Sequence, residues 1–259
     1  MKSFRLHVME NYILERDFVS MEELRKKFNI SMNTVRMDVS ELVEKGVVKK
    51  VYGGVSSNGK NKLVPFEERQ LKNINKKMAV GKKASSLVED GDIIYIDSGT
   101  TTMFLVDYLR DTKDVTILTN SVNVINRGIP LPDLNIICLS GTLERKTNSF
   151  VLADAAGLLE KYNIRKAFMA SAGITEDGAV TNSSHLEFEI KKAAIANSKE
   201  VYLIIDSDKF GKSALLTYAA VLDFDMVVTD SSASPELIEL CSRNGVEIRM
   251  GNMDEADGI

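Results

Sequence analysis

The chain has 259 residues, of which 44% are hydrophobic and 27% are charged, so it is long enough for one or two globular domains. Its two cysteines, Cys138 and Cys241, lack the C-x-x-C spacing of zinc and redox sites, and the chain holds only 2 histidines. We therefore expect reduced thiols, no metal site and no cofactor. No apolar run reaches the roughly 18 residues of a membrane span, and the first residues lack a signal-peptide core, so we expect a cytoplasmic protein with no membrane partner.

Charge is distributed unevenly along the chain. Residues 1–60 hold 11 basic and 8 acidic side chains, a net charge of +3, whereas the remainder holds 22 basic and 29 acidic ones, a net charge of −7. A basic head on an acidic body is expected where only the head contacts DNA, because the DNA backbone is polyanionic.

Two amphipathic helices are predicted at the start of the chain. The first covers residues 5–14, whose apolar side chains recur at helical spacing, and it should end near Asp17. Ser20 and Glu23 form an S-x-x-E capping box that begins the second helix, at residues 21–28. The apolar side chains that this helix should bury are Leu24 and Phe28.

A third predicted helix has two different faces. It is capped by Ser31, runs to about Lys45 and stops at Gly46. An apolar face should pack on the first two helices, and it comprises Val35, Val39 and Leu42. The opposite face, which could enter a major groove, comprises Asn33, Arg36, Met37 and Ser40. Helix, short turn and helix is the helix-turn-helix pattern.

A β-hairpin, or wing, is predicted directly after this helix. Residues 47–55 read V-V-K-K-V-Y-G-G-V, which alternates as two short strands, and Gly53 and Gly54 suit a turn or strand end. Lys49 and Lys50 could contact DNA phosphates and so position the domain without reading sequence. Short amphipathic helices also occur in protein-binding modules, but the wing and the local positive charge favour DNA binding.

The rest of the chain predicts a second, larger domain. Residues 56–62 are small and polar, as linkers are, and Pro65 opens a helical stretch at residues 66–88. Beyond Asp92, apolar runs alternate with helical segments, which predicts an α/β fold with a mainly parallel sheet and helices on both faces. The expected organisation is a winged helix-turn-helix domain at 1–56, a linker and connecting helix at 57–75, and the second domain at 76–252.

The apolar runs read I-I-Y-I-D, V-T-I-L-T, N-I-I-C-L-S, K-A-F-M-A-S-A, V-Y-L-I-I-D, M-V-V-T-D and V-E-I-R-M. Helices are predicted between them at residues 102–109, 121–127, 153–162, 186–197 and 235–243. Ligands of such sheets bind beyond the carboxyl ends of the strands. Five of the runs end in small, hydroxyl-rich segments: D-S-G-T-T-T (97–102), T-N-S (119–121), S-G-T (140–142), S-A-G (171–173) and D-S-D-K-F-G-K (206–212).

These strand ends predict a site for an anionic ligand. In the first of them, Gly99 allows a sharp turn, and the following helix would offer free N–H groups and a partial positive charge to a phosphate. Ser98 and the threonines beside it add hydroxyl donors, and Lys209 and Lys212 of the fifth strand end are available to an anion.

The first domain resembles the DeoR family of bacterial transcription regulators. The similarity lies in N-I-S-M-N-T-V-R-M-D-V-S-E-L-V-E-K-G and V-Y-G-G-V, where Ser31, Thr34, Arg36, Asp38, Gly46, Gly53 and Gly54 match the family pattern. Met37 departs from it, because the family usually has a second arginine there. The resemblance and the helix faces together imply DNA contacts at Ser31, Asn33, Thr34, Arg36, Met37, Ser40, Lys49 and Lys50.

The second domain is similar to the sensor domain of the same family, in D-S-G-T-T-T, L-T-N-S, S-G-T and D-S-D-K-F-G. That domain is related in fold to ribose-5-phosphate isomerase and the CoA transferases, and it binds sugar phosphates as effectors. The resemblance implies effector contacts at Asp97, Gly99, Thr100, Thr101, Thr102, Asn120, Gly141 and Lys209. Four segments, V-Y-G-G-V, L-V-P-F-E, T-N-S and F-G-K-S-x-L-L-T-Y, are most similar to family members that repress myo-inositol catabolism.

We therefore expect a repressor of a carbohydrate catabolic operon that a phosphorylated sugar releases from its double-stranded DNA operator. A single winged helix makes few contacts, so useful specificity should require a homo-oligomer, a dimer or tetramer, on repeated half-sites. Activation remains an alternative to repression, because an activator would use the same DNA-binding domain and the same effector site.

Two alternatives remain open at the level of sequence. A sugar-phosphate isomerase would need a general base, for which the available carboxylates are Asp97, Glu187, Asp206 and Asp208. Asp97 is more simply a cap of the helix behind it, and Glu187 and Glu189 should form solvated pairs with Lys191 and Lys192. A protein-interaction module without a ligand is the third possibility.

Overall fold

The computed structural model describes residues 2–16, 18–44, 48–57, 65–151 and 155–252. The chain divides into two compact units, Met1–Leu63 and Val64–Ile259. The expected linker residues 58–62 and the helix end at Lys45 and Gly46 lie outside the described residues.

The first unit packs helices against a small antiparallel sheet. Its helices are α1 (Lys2–Arg16), α2 (Met21–Phe28) and α3 (Met32–Glu44), and its strands are β1 (Phe18–Ser20), β2 (Val48–Val51) and β3 (Gly54–Ser57). The sheet order is β1-β3-β2, so the hairpin that follows α3 has the form of a wing. The buried core comprises Leu6, Met9, Ile13, Val19, Leu24, Val35, Val39, Leu42, Val48 and Val55. Phe28, which was expected inside, is only half-buried.

Strand β1 was not predicted, and it changes the assignment of the presumed linker. Phe18 pairs with Ser56 and Ser20 with Gly54, while Ser57 pairs with Val48 of β2. Ser56 and Ser57 are therefore strand residues, and their assignment to a linker was wrong. Small polar side chains resemble a linker in the sequence, but these two residues are held by backbone pairing, which does not depend on side-chain type.

The second unit contains the elements that carry the larger sheet. Its helices are α4 (Phe66–Leu71), α5 (Ile74–Ser85), α6 (Val122–Gly128), α7 (Ala155–Leu159), α8 (Phe188–Ala196) and α9 (Pro235–Arg243), with 3₁₀ turns at Thr102–Tyr108, Ser207–Lys209 and Val221–Asp223. Its strands are β4 (Ile93–Ile96), β5 (Val115–Thr119), β6 (Leu134–Cys138), β7 (Thr142–Glu144), β8 (Ser149–Val151), β9 (Ile164–Met169), β10 (Gly173–Ile174), β11 (Ala179–Asn182), β12 (Ser198–Ile204), β13 (Leu216–Ala220), β14 (Met226–Asp230) and β15 (Glu247–Gly251).

Within the described residues, the larger sheet has seven strands in the order β15-β14-β12-β9-β4-β5-β6. Every neighbouring pair is parallel, with Ile94 opposite Lys166 of β9 and Ile117 of β5, for example. These strands coincide with the apolar runs of the sequence, and the predicted α/β fold is confirmed.

Helices cover both faces of this sheet. Alternate residues of β4 point to opposite sides, so that Tyr95 joins a buried cluster with Ile190 of α8 and Leu237 of α9. Ile94 joins a second cluster with Val80 of α5 on the other side. This two-sided burial explains why the strands read as continuous apolar runs.

Two predicted helices differ in the structure. The stretch at 66–88 is broken between α4 and α5, where Asn73 adopts a left-handed conformation with φ 57°. The segment after Gly99 forms a 3₁₀ helix and not an α-helix. Close packing accompanies it, because a Cβ on Gly81 of α5 would lie 2.6 Å from Cβ of Phe104.

Short antiparallel strands form two further sheets that the sequence did not indicate, in the order β10-β11-β13 and as the hairpin β7-β8. The turn before β7 contains Gly141, with φ 150°. Both sheets begin just after carboxyl ends of the parallel strands, at β9 and β6, so they shape the edge at which a ligand was expected.

Candidate functional site

The start of α3 is fixed by side-chain caps. Ser31 Oγ accepts a hydrogen bond from the Thr34 amide at 3.2 Å, and the two hydroxyl oxygens lie 2.9 Å apart. Before the cap, Asn29 takes a left-handed conformation with φ 48°, which ends α2 and turns the chain into α3. Ser31 and Thr34 therefore set the position of this helix, whatever contact they make with DNA.

The two predicted faces of α3 are present. Val35, Val39 and Leu42 are completely buried. Asn33 and Arg36 are exposed on the opposite side, and Met37 is 66% exposed.

Asp38 joins the buried side of α3, although it is charged. Its side chain is 1% exposed and accepts two hydrogen bonds from Arg5 of α1, Nε to Oδ2 at 2.7 Å and Nη2 to Oδ1 at 3.2 Å. This hydrogen bonding raises the pKa of the Arg5 guanidinium. The ion pair between Arg5 and Asp38 fixes α3 against α1. The sequence signal for this pair was an acid on the apolar face of an amphipathic helix.

The wing is attached to α3 by a hydrogen bond between two of the predicted DNA-contact residues. Lys50 Nζ donates to Ser40 Oγ at 3.0 Å, and Ser40 Oγ donates to the Arg36 carbonyl at 2.8 Å. Lys49, its neighbour in the strand, is exposed. The hairpin turns at Gly53, with φ 81°, and leaves Tyr52 fully exposed at its tip.

In the second unit, Asp97 follows β4 and is completely buried. Its carboxylate accepts hydrogen bonds from the amides of Ser98 and Ala170, each at 2.9 Å, and pairs with Lys191 of α8. The expectation that Asp97 caps the next helix was wrong, because it instead joins the ends of β4 and β9. Lys191 is 2% exposed, so the solvated pair expected for it is also absent among the described residues.

Glu187 was expected to be solvated, and this was wrong as well. Its side chain is 4% exposed, and Oε1 accepts hydrogen bonds from Ser98 Oγ at 2.6 Å and Ser149 Oγ at 2.8 Å. The carboxylate therefore connects the β4 loop to the β7-β8 hairpin. An acid just before a helix gave no sign of this, because both hydroxyl donors are remote in sequence.

The remaining strand-end residues form a compact, internally bonded loop. Thr102 Oγ1 donates to the Asp97 carbonyl at 2.7 Å and accepts from the Gly99 amide at 3.0 Å. A Cβ on Gly99 would lie 2.3 Å from Cβ of Ala170, so glycine is needed there. Thr100 and Thr101 are each 4% exposed.

Asn120 follows the next strand, β5, and is also buried. It accepts a hydrogen bond from Tyr95 Oη at 3.2 Å and donates to the Phe150 carbonyl at 3.1 Å. Gly141, by contrast, lies in an exposed turn after β6.

A group of basic side chains meets at the carboxyl end of β12. We call it the cation cluster, and it comprises Arg69, Lys72, Lys77, Lys209 and Lys212. Together with Asn73, Asp206 and Asp208, these residues line a cavity of about 50 Å³. Lys209 and Lys212 were predicted, whereas Arg69 of α4, Lys72 of the break and Lys77 of α5 were missed, because that segment looked like a connecting helix.

The five positive charges of the cation cluster outnumber the two carboxylates of its cavity, and burial makes those of Lys77, Lys209 and Arg69 unfavourable. Lys77 is 2% exposed, and the pKa of its ammonium is lowered to about 8, mainly by desolvation and also by the charges of Lys209, Arg69 and Lys72, while Asp206 opposes the shift. Desolvation also lowers the pKa of Lys209 and that of Arg69. A bound phosphate would compensate these charges.

Asp206 is one of two acidic residues that line the same cavity, the other being Asp208, and it is 1% exposed. Its Oδ1 accepts a hydrogen bond from Asn73 Nδ2 at 3.1 Å, whereas Oδ2 is buried and has no hydrogen-bond partner among the described residues. A carboxylate oxygen beside several cations can accept a hydroxyl group of a ligand whose anionic part binds the cations.

No group of histidine, cysteine, aspartate and glutamate side chains that could hold a metal ion occurs in the described part of the chain. The helices in those same residues include none that is both long and apolar enough to cross a membrane.

Both units match domain families. A DeoR-like helix-turn-helix domain matches residues 5–61, and a DeoR C-terminal sensor domain matches residues 72–231.

Curated relatives resemble the whole chain. The HTH-type transcriptional regulator IolR of Bacillus subtilis (strain 168) is 46% identical over 250 residues, which cover 96% of this chain and 100% of that protein. The lactose phosphotransferase system repressor of Staphylococcus epidermidis is 33% identical, over 88% of this chain and 92% of its own. The glycerol-3-phosphate regulon repressor of Escherichia coli (strain K12) is 24% identical, over 92% and 94%.

Solved structures resemble the chain more weakly. Ribose 5-phosphate isomerase A from Methanocaldococcus jannaschii aligns with a TM-score of 0.40 and 18% identity, over 54% of this chain and 55% of that one. The translation initiation factor eIF-2B from Pyrococcus horikoshii OT3 aligns with a TM-score of 0.38 and 14% identity, over 83% and 70%.

Proposed function

The chain belongs to the DeoR family of DNA-binding transcription regulators, and we propose that it represses a carbohydrate catabolic operon from which a phosphorylated sugar releases it. Membership in this family makes it a regulator and not an isomerase-like enzyme. The repressor names of two relatives, for a glycerol-3-phosphate regulon and a lactose phosphotransferase system, support the carbohydrate assignment. Four sequence segments, V-Y-G-G-V, L-V-P-F-E, T-N-S and F-G-K-S-x-L-L-T-Y, are most similar to repressors of myo-inositol catabolism. Among carbohydrates, they favour myo-inositol.

On the DNA side, α3 is proposed to dock in the major groove. Asn33 and Arg36 are exposed where base edges would lie, and they can read adenine and guanine respectively. Ser31 and Thr34 fix the helix start, and Ser40 and Lys50 join the helix to the wing. Lys49 is proposed to contact a phosphate.

On the effector side, the observation that carries the proposal is the cation cluster around Asp206. Several buried or half-buried cations with lowered pKa values surround a carboxylate that has an unpaired oxygen. We propose that the effector's phosphate binds Arg69, Lys77 and Lys209 and that one of its hydroxyl groups donates to Asp206. This combination selects a phosphorylated polyol over an uncharged sugar.

The strand-end loops are proposed to form the remainder of the effector site, with contacts at Asp97, Gly99, Thr100, Thr101, Thr102, Asn120 and Gly141. Asp97, Gly99 and Thr102 would act through the loop that they shape, because their polar groups are already engaged. Burial lowers the pKa of Arg69 and the charge of Glu187 opposes this shift, which supports a site that combines the cation cluster with the strand-end loops.

Release from DNA is proposed to work through a homo-oligomer, a dimer or tetramer, in the cytoplasm. A phosphorylated sugar that binds one arrangement of the subunits more tightly shifts the population towards it, and an arrangement that no longer matches the operator half-sites leaves DNA. The size of the effect is bounded by the ligand's differential affinity for the two arrangements.

The test is fluorescence anisotropy of the full chain on labelled DNA from upstream of its own gene. We expect specific binding that weakens with salt and that one member of a sugar-phosphate panel, including inositol-pathway intermediates, reverses at fixed salt. The unphosphorylated sugars are the matched control. Specific binding that every phosphate leaves unchanged would contradict the effector assignment, and the absence of specific binding would contradict the DNA assignment.

A further inference from the structure

Met37 is an exposed apolar side chain on the recognition helix. It is 66% exposed, and the exposed residues around it, Asn33 and Arg36, are polar. Met37 does not contribute to the buried side of α3, which is formed by Val35, Val39 and Leu42. Exposing a methionine side chain to water is unfavourable, and an apolar partner would remove that cost.

We propose that Met37 contacts the C5-methyl group of a thymine in the major groove and thereby specifies T·A at one base pair of each operator half-site. This inference rests on the proposed docking of α3 and adds the identity of a base to it.

The chemical groups exposed in the major groove favour thymine as the base that Met37 contacts. Base edges in the major groove present hydrogen-bond donors and acceptors, and their characteristic apolar group is the thymine methyl. A methionine has no side-chain N–H or O–H group with which to read the polar edges. Its flexible, polarizable thioether suits a small apolar group.

The geometry of α3 leaves Met37 in a position to reach a base. Ser40, one turn further along, is already bonded to Lys50 and to the Arg36 carbonyl, so the wing lies beside that turn. Asn33, one turn before Met37, is exposed on the same face. Residues four apart on a helix are separated by about 6 Å, whereas base pairs are separated by about 3.4 Å. The thymine should therefore lie one or two base pairs from the position that Asn33 reads.

The experiment begins with selection from a pool of randomised DNA duplexes, which needs no known operator. The wild-type chain, Met37→Ala and Met37→Arg are each used to enrich binding sequences. We expect a thymine in the wild-type sequence that Met37→Ala does not require. Met37→Arg should replace it with guanine, because arginine binds guanine O6 and N7.

A second step removes only the methyl group. Each thymine of the enriched site is replaced in turn by uracil, and binding is measured by anisotropy. At one position per half-site, wild-type affinity should fall roughly threefold to fivefold, the worth of one buried methyl group. Met37→Ala should bind both duplexes equally, and 5-methylcytosine in place of that thymine should restore part of the wild-type affinity. Uracil at the other thymines is the internal control.

Two outcomes would overturn the inference while leaving sequence-specific DNA binding intact. One is identical enriched sequences for the wild type and Met37→Arg. The other is a methyl effect of equal size in the wild type and Met37→Ala. If the wild type enriches no sequence at all, the proposed docking of α3 fails and the inference is overturned with it.

Discussion

Lys77 is unusual for a lysine, because its ammonium is buried beside other cations. It donates a hydrogen bond to the Arg69 carbonyl, and its pKa is lowered to about 8 by desolvation and by neighbouring positive charges. A phosphate bound at the cation cluster would favour the protonated form, so binding should be coupled to proton uptake near that pH.

This coupling predicts a pH dependence of effector binding. Between pH 7 and 9 a phosphomonoester stays dianionic, because its second pKa is about 6. Lys77 loses its proton over the same range, so effector affinity should fall as the pH rises, by at most about tenfold per pH unit for each proton. Isothermal titration calorimetry with the releasing sugar phosphate, in buffers of different ionisation enthalpy, would measure both the affinity and the proton uptake.

Lys77→Met is the matched variant for this prediction. It should bind the effector more weakly at pH 7 and show a smaller change in affinity up to pH 9. A wild-type affinity that stays constant from pH 7 to 9 would contradict the role given to Lys77.

Single residues show where sequence reasoning succeeds and where it ends. Lys209 was predicted, because it follows an apolar strand in a recognisable segment. Lys77 and Glu187 were not, because a charge on a helical segment reads as solvated, and their burial depends on partners far along the chain. Ion pairs such as Arg5–Asp38 are missed for the same reason.

At the scale of elements, the clarity of the local sequence pattern decided what could be predicted. Helix α9 was predicted at its observed bounds, because Pro235 marks its start, and α3 was recognised from its cap and its apolar face. Strands β1, β10 and β13 were missed because they lack the continuous apolar runs that marked the short strands β4 and β5, and because the pairing of β1 and β13 is non-local. The break at Asn73 was missed because asparagine adopts left-handed conformations only in some contexts.

The packing of α3 makes a prediction at this scale. Val39 is completely buried, so Val39→Ala should lower the free energy of unfolding of the first unit by roughly 1.5–3 kcal/mol, through lost burial and a residual cavity. Urea unfolding followed by circular dichroism would measure it. Val8→Ala, which truncates a side chain 36% exposed in the same unit, is the control and should change stability by less than about 0.5 kcal/mol. Equal losses in the two variants would contradict the assignment of the buried face.

For the whole molecule, the order of the domains and the parallel sheet were predicted from two simple signals. The first was the change from helical periodicity to alternating apolar runs and helices, and the second was the change in net charge along the chain. The boundary at 75 remains a prediction, the one at 56 falls inside β3, and the two compact units divide between Leu63 and Val64. The order of the strands in the sheet could not be predicted from the sequence, because it depends on which apolar runs become neighbours in the fold.

We propose that one unit of this protein reads DNA and that the other senses a phosphorylated sugar. The direct measurement is anisotropy on the operator, with and without the releasing sugar phosphate, for Arg36→Ala and Lys209→Ala beside the wild type. Lys199→Ala is the control, because this exposed lysine lies at the opposite end of β12 from Asp206. Arg36→Ala should weaken operator binding by about 1–3 kcal/mol. Lys209→Ala should bind the operator as the wild type does and respond poorly to the sugar phosphate. Wild-type operator binding by Arg36→Ala, or loss of operator binding by Lys209→Ala, would contradict the account.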